Sequence, residues 1–183
     1  MITKKLAVLF SGTGSNFAYI LKHLHKQGFE VVLALTNNPK AEGIAFAKAY
    51  HIPLAIINSK DYQSREDFDK VLVQKLQEYA PDLTILAGFM RILTPVFTNT
   101  IKSINLHPSL LPRHKGLHAI EKSYADEYPS GGISVHWVSS ELDGGKIILQ
   151  KEVSKTGLNF EAYDKALRDA EKPLLIQAIK TVC

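Results

Sequence analysis

The sequence predicts an α/β protein with a doubly wound, mostly parallel sheet in a single domain of 183 residues. Strand-like and helix-like segments alternate strictly through the first half of the chain, which is the pattern of βαβ units with right-handed crossovers. Several strand-like segments are short and continuously apolar, as expected of parallel strands that are buried on both faces. The chain has no repeat, low-complexity segment or linker, and it is long enough for a substantial core.

The elements of the first half follow from the spacing of the apolar residues. After the first strand, apolar residues at helical spacing predict a helix that ends at Gly28. The helix that begins near Ser64 carries Glu66 and Asp67 in its first turn, where acids suit the helix dipole. In order, we predict strand 5–10, helix 17–27, strand 30–36, helix 41–50, strand 54–57, helix 64–79 and strand 83–87.

The second half adds a fifth strand and ends in a long helix. The fifth strand stops at Pro108 because proline cannot donate to a sheet ladder. Pro173 predicts a kink in the last helix. In order, we predict strand 103–107, helix 118–126, strands 133–138 and 146–153, and helix 159–181.

The composition argues against several functional classes. The net charge of +4 comes without a clustered Lys/Arg stripe, so nucleic-acid binding is not predicted, and no apolar run approaches the ~20 residues of a membrane helix. Cys183 is the single cysteine, so we predict no disulfide framework and no metal cluster. Residues 1–5 show no signal-peptide pattern. We therefore expect a cytoplasmic protein that acts on small molecules, as a monomer or weak homodimer.

Two polar residues at the end of the fifth strand form the first candidate site. Side chains alternate along a strand, so Asn105 and His107 should share one face while Leu106 turns into the core. Histidine exchanges protons near neutral pH, and ligands of open α/β sheets bind at the carboxyl ends of the strands. A capped strand end with a surface histidine is the alternative, and it would be favoured for a histidine without polar company.

A glycine-rich turn, residues 11–16, lies between the first strand and the first helix. It is not a full dinucleotide fingerprint, because Phe17 stands where glycine or alanine is required, and it is not a P-loop. A phosphate cradle and a plain tight turn therefore remain open. The side-chain donors of Ser15 and Asn16 favour a single phosphate group over a dinucleotide.

Asp143 is the acid that stands out in the second half. It follows a strand and precedes Gly144 and Gly145, so an Asp-Gly hairpin turn is one interpretation. The other is that its carboxylate meets His107 across the strand ends, where it would orient the imidazole and favour its charged form.

Three stretches are the most specific in the chain: 87–93 (Ala-Gly-Phe-Met-Arg-Ile-Leu), 104–112 (Ile-Asn-Leu-His-Pro-Ser-Leu-Leu-Pro) and 141–145 (Glu-Leu-Asp-Gly-Gly). With them the sequence resembles the folate-dependent formyltransferase family over essentially its whole length. The opening stretch 11–16 (Ser-Gly-Thr-Gly-Ser-Asn) narrows the resemblance to the branch that acts on glycinamide ribonucleotide. The resemblance implies one domain, 1–183, with a Rossmann-like fold, a phosphate-binding N-terminal half and a folate-binding, catalytic C-terminal half.

The resemblance also implies roles for individual residues. The catalytic three are Asn105, His107 and Asp143. Substrate binding falls to the glycine-rich turn, which meets the phosphate, and to an acid of the last helix, which meets the glycyl amine: Gly12, Thr13, Gly14, Ser15, Asn16 and Glu171. The folate contacts are Met90, Arg91, Ile92 and Leu93 at the pterin, Asn105 beside them, and Arg65 near the glutamate tail.

The implied reaction transfers the formyl group of 10-formyltetrahydrofolate, a cosubstrate, to the glycyl amine of 5'-phosphoribosylglycinamide in de novo purine biosynthesis. Protonated His107 and the Asn105 amide would donate to the tetrahedral oxyanion, while Asp143 keeps His107 charged and helps to move a proton. No metal ion and no covalent nucleophile are needed. The family also implies a cis peptide bond between Leu111 and Pro112.

Other functions share parts of this pattern. A formyltetrahydrofolate deformylase resembles the chain around the same Asn, His and Asp, but such hydrolases carry an additional N-terminal regulatory domain, and here the first strand begins at about Leu6. A methionyl-tRNA formyltransferase is less favoured still, because such an enzyme needs a further domain to bind tRNA. A catalytically idle Rossmann-like binding module is the alternative from another class, because fold alone does not determine function.

Overall fold

The structure, a computed structural model, describes residues 2–183. Within them the chain forms a seven-stranded sheet with the hydrogen-bonded order β3-β2-β1-β4-β5-β6-β7, together with six α-helices. The strands are β1 Lys4–Phe10, β2 Phe29–Thr36, β3 Leu54–Ile56, β4 Leu83–Leu86, β5 Ser103–His107, β6 Ser130–Trp137 and β7 Ile147–Ser154. The helices are α1 Ser15–His23, α2 Ile44–Ala49, α3 Arg65–Tyr79, α4 Pro95–Thr98, α5 Ala119–Ala125 and α6 Phe160–Val182, with a 3₁₀ turn at Ser59–Asp61.

By its internal contacts the chain divides into two compact units. Unit 1 runs to Ile104 and includes Cys183, and unit 2 is Asn105–Val182. In unit 1, β1 pairs in parallel with both β2 and β4, and β2 pairs in parallel with β3. Because β1 is covered on both faces, its residues from Leu6 to Phe10 are fully buried, which explains the continuous apolar run.

In unit 2, the paired strands β6 and β7 are antiparallel, and α6 packs against both of them. The residues of β6 from Ser130 to His136 are all buried, whereas those of β7 are partly or fully exposed. The apolar stripe of α6 faces this core and includes the buried residues Leu167, Leu174 and Ile179. The predicted α/β class and the mostly parallel sheet are confirmed.

Several predicted boundaries differ from those observed. The first helix begins at Ser15 and ends at His23 rather than covering 17–27, because Gly14 already has a left-handed backbone and residues 24–28 form a turn. Helix α2 is four residues shorter than predicted, and β6 begins three residues earlier. The four-residue α4 and the 3₁₀ turn were not predicted, since both are single turns without a measurable apolar period.

Two further expectations can be compared with the structure. Leu106 is only partly buried and so is less enclosed than expected, and the fully buried apolar residue on the same face of β5 is Ile104. The peptide bond between Leu111 and Pro112 is cis, as expected. Helix α6 continues through Pro173 to Val182.

The start of β6 is closely packed against the helices of unit 2. The hydroxyl groups of Ser123 on α5 and Tyr163 on α6 lie 2.7 Å apart, and both are buried. A Cβ atom at Gly131 would lie 1.8 Å from Tyr163 Oη and 2.2 Å from Ser123 Oγ. A glycine is therefore required at this position so that two helices can hydrogen-bond over the strand.

We predict that Gly131→Ala lowers the free energy of unfolding by about 1–3 kcal/mol, because the added methyl group has to displace the Ser123–Tyr163 hydrogen bond. Urea denaturation of the purified variant measures this loss. Gly12→Ala is the control, since a Cβ atom there meets nothing within 4 Å. Equal stability of the two variants would contradict the packing account.

Candidate active site

In unit 1, Ser11 connects the loops that follow three parallel strands. Its hydroxyl group donates to Asn37 Oδ1 at 2.6 Å, and the backbone N–H of Met90 donates to the same hydroxyl at 2.8 Å. The Ser11 N–H donates to the Gly88 carbonyl at 3.0 Å. The loops after β1, β2 and β4 thus form one connected edge at the carboxyl ends of these strands, where α/β proteins bind ligands.

The glycine-rich turn approaches the backbone of the α2 region closely. Gly14 has a φ of 71°, and a Cβ atom there would lie 2.6 Å from Gly43 Cα, while the Gly43 N–H donates to the Gly12 carbonyl at 3.1 Å. Both the backbone conformation and the contact require glycine at position 14. Helix α1 begins directly afterwards, and the first backbone amides of a helix lack intrahelical acceptors and attract anions.

The residues of this turn differ in accessibility. Gly12, Thr13 and Ser15 are exposed, whereas Gly14 and Asn16 are buried. An anion at the start of α1 would therefore meet exposed backbone amides and the Ser15 hydroxyl from the solvent side. These are the features that helix N-termini use to bind anions.

The segment after β4 presents apolar side chains to solvent while both of its ends are fixed. Met90 and Ile92 are 66% and 51% exposed. The Met90 N–H is held by Ser11, and both the N–H and the hydroxyl of Thr94 donate to Asp69 Oδ2, at 2.6 and 2.7 Å. A rigid segment with exposed apolar side chains suits a flat, largely apolar ligand ring.

Two arginines of unit 1 were predicted to belong to this region. Arg91 Cζ lies 5.0 Å above the ring of Phe68, in a cation–π contact, and its Nε atom is buried without a partner among the described residues. Arg65 is exposed on the first turn of α3. Burial raises the pKa of the nearby Asp69, although the hydrogen bonds from Thr94 and the charge of Arg91 oppose that shift.

In unit 2, the structure brings Asn105, His107 and Asp143 together. His107 Nδ1 lies 3.4 Å from Asp143 Oδ2, and the second oxygen of the same carboxylate lies 3.6 Å from His136 Nε2. Asn105 Nδ2 lies 3.4 Å from that same His136 nitrogen. The carboxylate is therefore flanked by two imidazole rings, and the Asn105 amide reaches the second of them.

Asp143 is held in place by its own backbone and by a neighbouring amide. Asp143 has a φ of 51° and is only 9% exposed. The Gly116 N–H donates to its Oδ2 atom at 2.8 Å. Burial alone would raise the pKa of Asp143, but the neighbouring His136 ring, the hydrogen bond from Gly116 and the charge of His107 outweigh burial and lower it. The side chain is thus buried and ionised, unlike that of a hairpin residue directed at solvent.

The hydrogen-bond partners of His107 determine where its protons lie. Nε2 is 2.8 Å from the carbonyl oxygen of His114, and because a carbonyl only accepts, this nitrogen carries a proton. Nδ1 faces the Asp143 carboxylate at 3.4 Å, which is an ion-pair distance beyond the usual range of a hydrogen bond. Nδ1 therefore faces the carboxylate without a short hydrogen bond to it and is the ring nitrogen left for a ligand.

The last predicted site residue, Glu171, is buried on α6 of unit 2, where it interacts with the charge of Arg168. No group of three or more His, Cys, Asp or Glu side chains that could hold a metal ion occurs within residues 2–183. In the same range, no helix is long and apolar enough to cross a membrane.

Comparison with known proteins identifies the family. The model of the family described as formyl transferase matches residues 4–179. The chain belongs to the formyl transferase family.

Individual members of this family are similar over nearly the whole chain. A crystal structure of phosphoribosylglycinamide formyltransferase from Campylobacter jejuni has a TM-score of 0.96 at 50% identity, covering 98% of this chain and 97% of that chain. Glycinamide ribonucleotide transformylase 1 from Geobacillus kaustophilus has a TM-score of 0.93 at 30% identity, covering 98% of each. The phosphoribosylglycinamide formyltransferase of Haemophilus influenzae is 38% identical over 154 residues, which are 82% of this chain and 73% of its own.

The predicted site residues fall in both compact units of the chain. The glycine-rich turn, Arg65 and residues 90–93 all lie in unit 1, whereas Asn105, His107, Asp143 and Glu171 lie in unit 2. The segment predicted to contact the folate and the His107–Asp143 pair thus belong to different compact units, whose boundary falls inside β5.

Sequence reasoning did not single out His136. Its Nδ1 lies 2.9 Å from the Trp137 carbonyl, so Nδ1 is protonated and Nε2 is left to face Asn105 and Asp143. A signal was present, because Ser134 and His136 are polar residues at i and i+2 in a strand whose other residues, apart from Ser130 at its start, are apolar or glycine. Asn105 and His107 show the same pattern in β5.

We predict that Asp143 stabilises the fold in a pH-dependent way. Its pKa is lower in the folded protein than its usual 3.8, so its contribution is complete above that value and is lost as the pH falls through the folded pKa. The difference in free energy of unfolding between wild type and Asp143→Asn should therefore shrink as the pH falls from about 5 towards about 3. Urea titrations across this range measure it, and a difference that grows on acidification would contradict the lowered pKa.

Proposed function

We propose that this formyltransferase transfers the formyl group of 10-formyltetrahydrofolate to the glycyl amine of 5'-phosphoribosylglycinamide, a step of de novo purine biosynthesis. The observation that carries the proposal is the buried pair of His107 and Asp143, with Asn105 beside it, in a chain of this family. The similarity to phosphoribosylglycinamide formyltransferases over nearly the full chain supports the choice of acceptor.

The first step joins the two substrates. The glycyl nitrogen attacks the formyl carbon, a C–N bond forms, and the formyl oxygen becomes an oxyanion. The Asn105 amide and the Nδ1 proton of His107 donate to that oxygen, and His107 is oriented for this by its Nε2 contact with the His114 carbonyl. The loss of one such donor typically reduces turnover by about 10²–10³.

The second step breaks the bond between the formyl carbon and N10 of the folate. The attacking amine has to lose a proton, and N10 has to gain one before tetrahydrofolate leaves. Asp143 is ionised and faces the histidines, so it takes up the amine proton, directly or through water, and the proton passes on to N10. Atoms balance without a metal ion or a covalent enzyme intermediate.

Binding of the ribonucleotide is assigned to the residues that the family pattern indicates. The exposed amides of Gly12, Thr13 and Ser15, with Gly14 and Asn16, hold the phosphate at the start of α1. Glu171 interacts with the glycyl amine, for which its negative charge is suited.

Binding of the folate is assigned to the fixed apolar segment of unit 1. Met90 and Ile92 expose apolar surface for the pterin ring, and Arg91 and Leu93 belong to the same segment. Arg65 carries an exposed positive charge for the glutamate tail, and Asn105 contributes at the reacting end. We further propose that residues 1–183 act as one formyltransferase domain in the cytoplasm, as a monomer or weak homodimer.

The proposal is tested by the products. The purified chain, supplied with both substrates, should form formylated ribonucleotide and tetrahydrofolate in equal amounts. Tetrahydrofolate without formylated ribonucleotide would identify a deformylase, and the absence of both products would identify a binding protein.

We predict that Asp143→Asn lowers turnover by at least about 10²-fold, because asparagine keeps the shape but neither accepts the amine proton nor favours charged His107. The Michaelis constants should change little, since the loss is felt in the transition state. Asp169→Asn is the control, because that carboxylate pairs with Lys165 on the exposed face of α6. Near-normal turnover of a folded Asp143→Asn variant would show that Asp143 only shapes its loop.

We predict that Gly14→Ala raises the Michaelis constant for the ribonucleotide much more than that for the folate. The new Cβ atom would press on Gly43 and move the start of α1, to which the phosphate is assigned. Gly28→Ala is the matched control, since its φ of 86° is equally strained for alanine but nothing lies within 4 Å of the added atom. Equal changes for both substrates would contradict the phosphate assignment.

A further inference from the structure

One turn of the main chain fixes both members of the His107–Asp143 pair. The carbonyl of His114 accepts from His107 Nε2 at 2.8 Å, and two residues later the N–H of Gly116 donates to Asp143 Oδ2 at 2.8 Å. The position of the turn at residues 113–116 therefore determines the angle at which the imidazole meets the carboxylate. It also determines that Nδ1, rather than Nε2, remains available to a ligand.

The turn needs a tether, because its backbone is in an unfavourable conformation. His114 has a φ of 55°, in the left-handed region that non-glycine residues rarely adopt. Its ring is anchored by Asp126, whose Oδ2 lies 2.6 Å from His114 Nε2. The same oxygen lies 3.8 Å from Arg113 Nη1, so two consecutive residues of the turn are drawn to one carboxylate.

Asp126 is itself fixed from a different element. Lys155, which follows β7, places its ammonium group 2.7 Å from Asp126 Oδ1, and the Tyr128 N–H donates to that oxygen at 3.0 Å. The Lys155 side chain is only 9% exposed, and it also donates to the Ser123 carbonyl at 2.6 Å. Asp126 thus connects the turn to the rigid strand-and-helix core of unit 2.

The carboxylate keeps its charge throughout the physiological range. Burial opposes ionisation, but the hydrogen bonds from Lys155, His114 and Tyr128 outweigh burial and lower the pKa of Asp126 to about 2. The tether is therefore an ionic one, and a neutral side chain of the same shape would weaken it.

We propose that Asp126 is a positioning residue for His107, acting through the ring of His114 and the carbonyl of the turn at residues 113–116. This rests on the proposed function, in which His107 donates to the oxyanion. Asp126 touches neither the His107 ring nor Asp143; it determines the direction of the hydrogen bond that orients the ring.

The test uses Asp126→Asn, which retains an acceptor for the Tyr128 amide but removes the negative charge opposite Lys155 and His114. We expect turnover to fall roughly 10- to 100-fold while both Michaelis constants stay within about twofold, because the geometry of a donor changes and no binding contact is lost. Asp126→Glu, which keeps the charge, should recover part of the loss. Asp169→Asn, whose carboxylate pairs with Lys165 on the exposed face of α6, is the control.

A second readout is independent of activity. In ¹⁵N spectra of the wild type at alkaline pH, the neutral His107 ring should keep its proton on Nε2, facing the His114 carbonyl. In Asp126→Asn, the proton should be shared with Nδ1, beside Asp143. The groups that face this ring or its tether from neighbouring elements are Asp143, His136, Arg113, Asp126 and Lys155, and only Asp126 is changed.

A third variant covers the case in which Asp126→Asn does not fold. His114→Gly keeps the carbonyl and suits the φ of 55°, but it removes the ring that Asp126 holds. It should show the same loss of turnover and the same redistribution of the His107 proton. Wild-type turnover and a wild-type His107 spectrum in a folded Asp126→Asn, or in His114→Gly, would overturn the proposal. A wild type that forms no formylated ribonucleotide would refute the proposed function, and the spectra would still decide on the tether.

Discussion

A buried carboxylate between two imidazole rings is the interaction on which the active-site region of unit 2 depends. Asp143 is nearly inaccessible to solvent, and an isolated buried charge is unstable, so every group around it contributes to keeping it ionised. His107 and His136 approach its two oxygens, and the Gly116 amide donates to one of them. The chemistry proposed for the site uses this charge, because the same carboxylate that stabilises a protonated imidazole can take up a proton from an amine.

The backbone around Asp143 is shaped to bring it there. A Cβ atom at Gly145 would lie 1.6 Å from the Trp137 carbonyl oxygen, so the loop after β6 can close only with glycine at that position. The Trp137 carbonyl also accepts from His136, which fixes the second imidazole. In unit 1, Ser11 has a comparable role. Its single hydroxyl group, in the loop after β1, hydrogen-bonds to Asn37 after β2 and to Met90 after β4, so it joins three strand-end loops. In both units, short polar contacts at strand ends hold the loops against a largely apolar core.

Much of this arrangement could be predicted from the sequence. The apolar run from Leu6 to Phe10 indicated a strand buried on both faces, and the i, i+2 spacing of Asn105 and His107 indicated one polar face. The roles of individual residues came from the motifs of the family. What could not be predicted depends on main-chain atoms and long-range contacts. The sequence does not indicate that the main-chain carbonyl of His114 accepts a hydrogen bond from His107. The proposed role of Asp126 is equally hidden, because it depends on the contact with Lys155, 29 residues later in the chain. Leu106 is less enclosed than expected, although it shares a face of β5 with the fully buried Ile104, because alternation predicts the face of a side chain and not how far along the strand that face is covered.

In the proposed reaction this chain moves a formyl group onto an amine rather than onto water. The most direct measurement is the rate of folate deformylation by the purified chain, with 10-formyltetrahydrofolate alone and then with glycinamide ribonucleotide added. The account predicts a negligible rate without the amine and a rate that rises and saturates with the ribonucleotide concentration. Deformylation at the same rate in the absence of the ribonucleotide would contradict it.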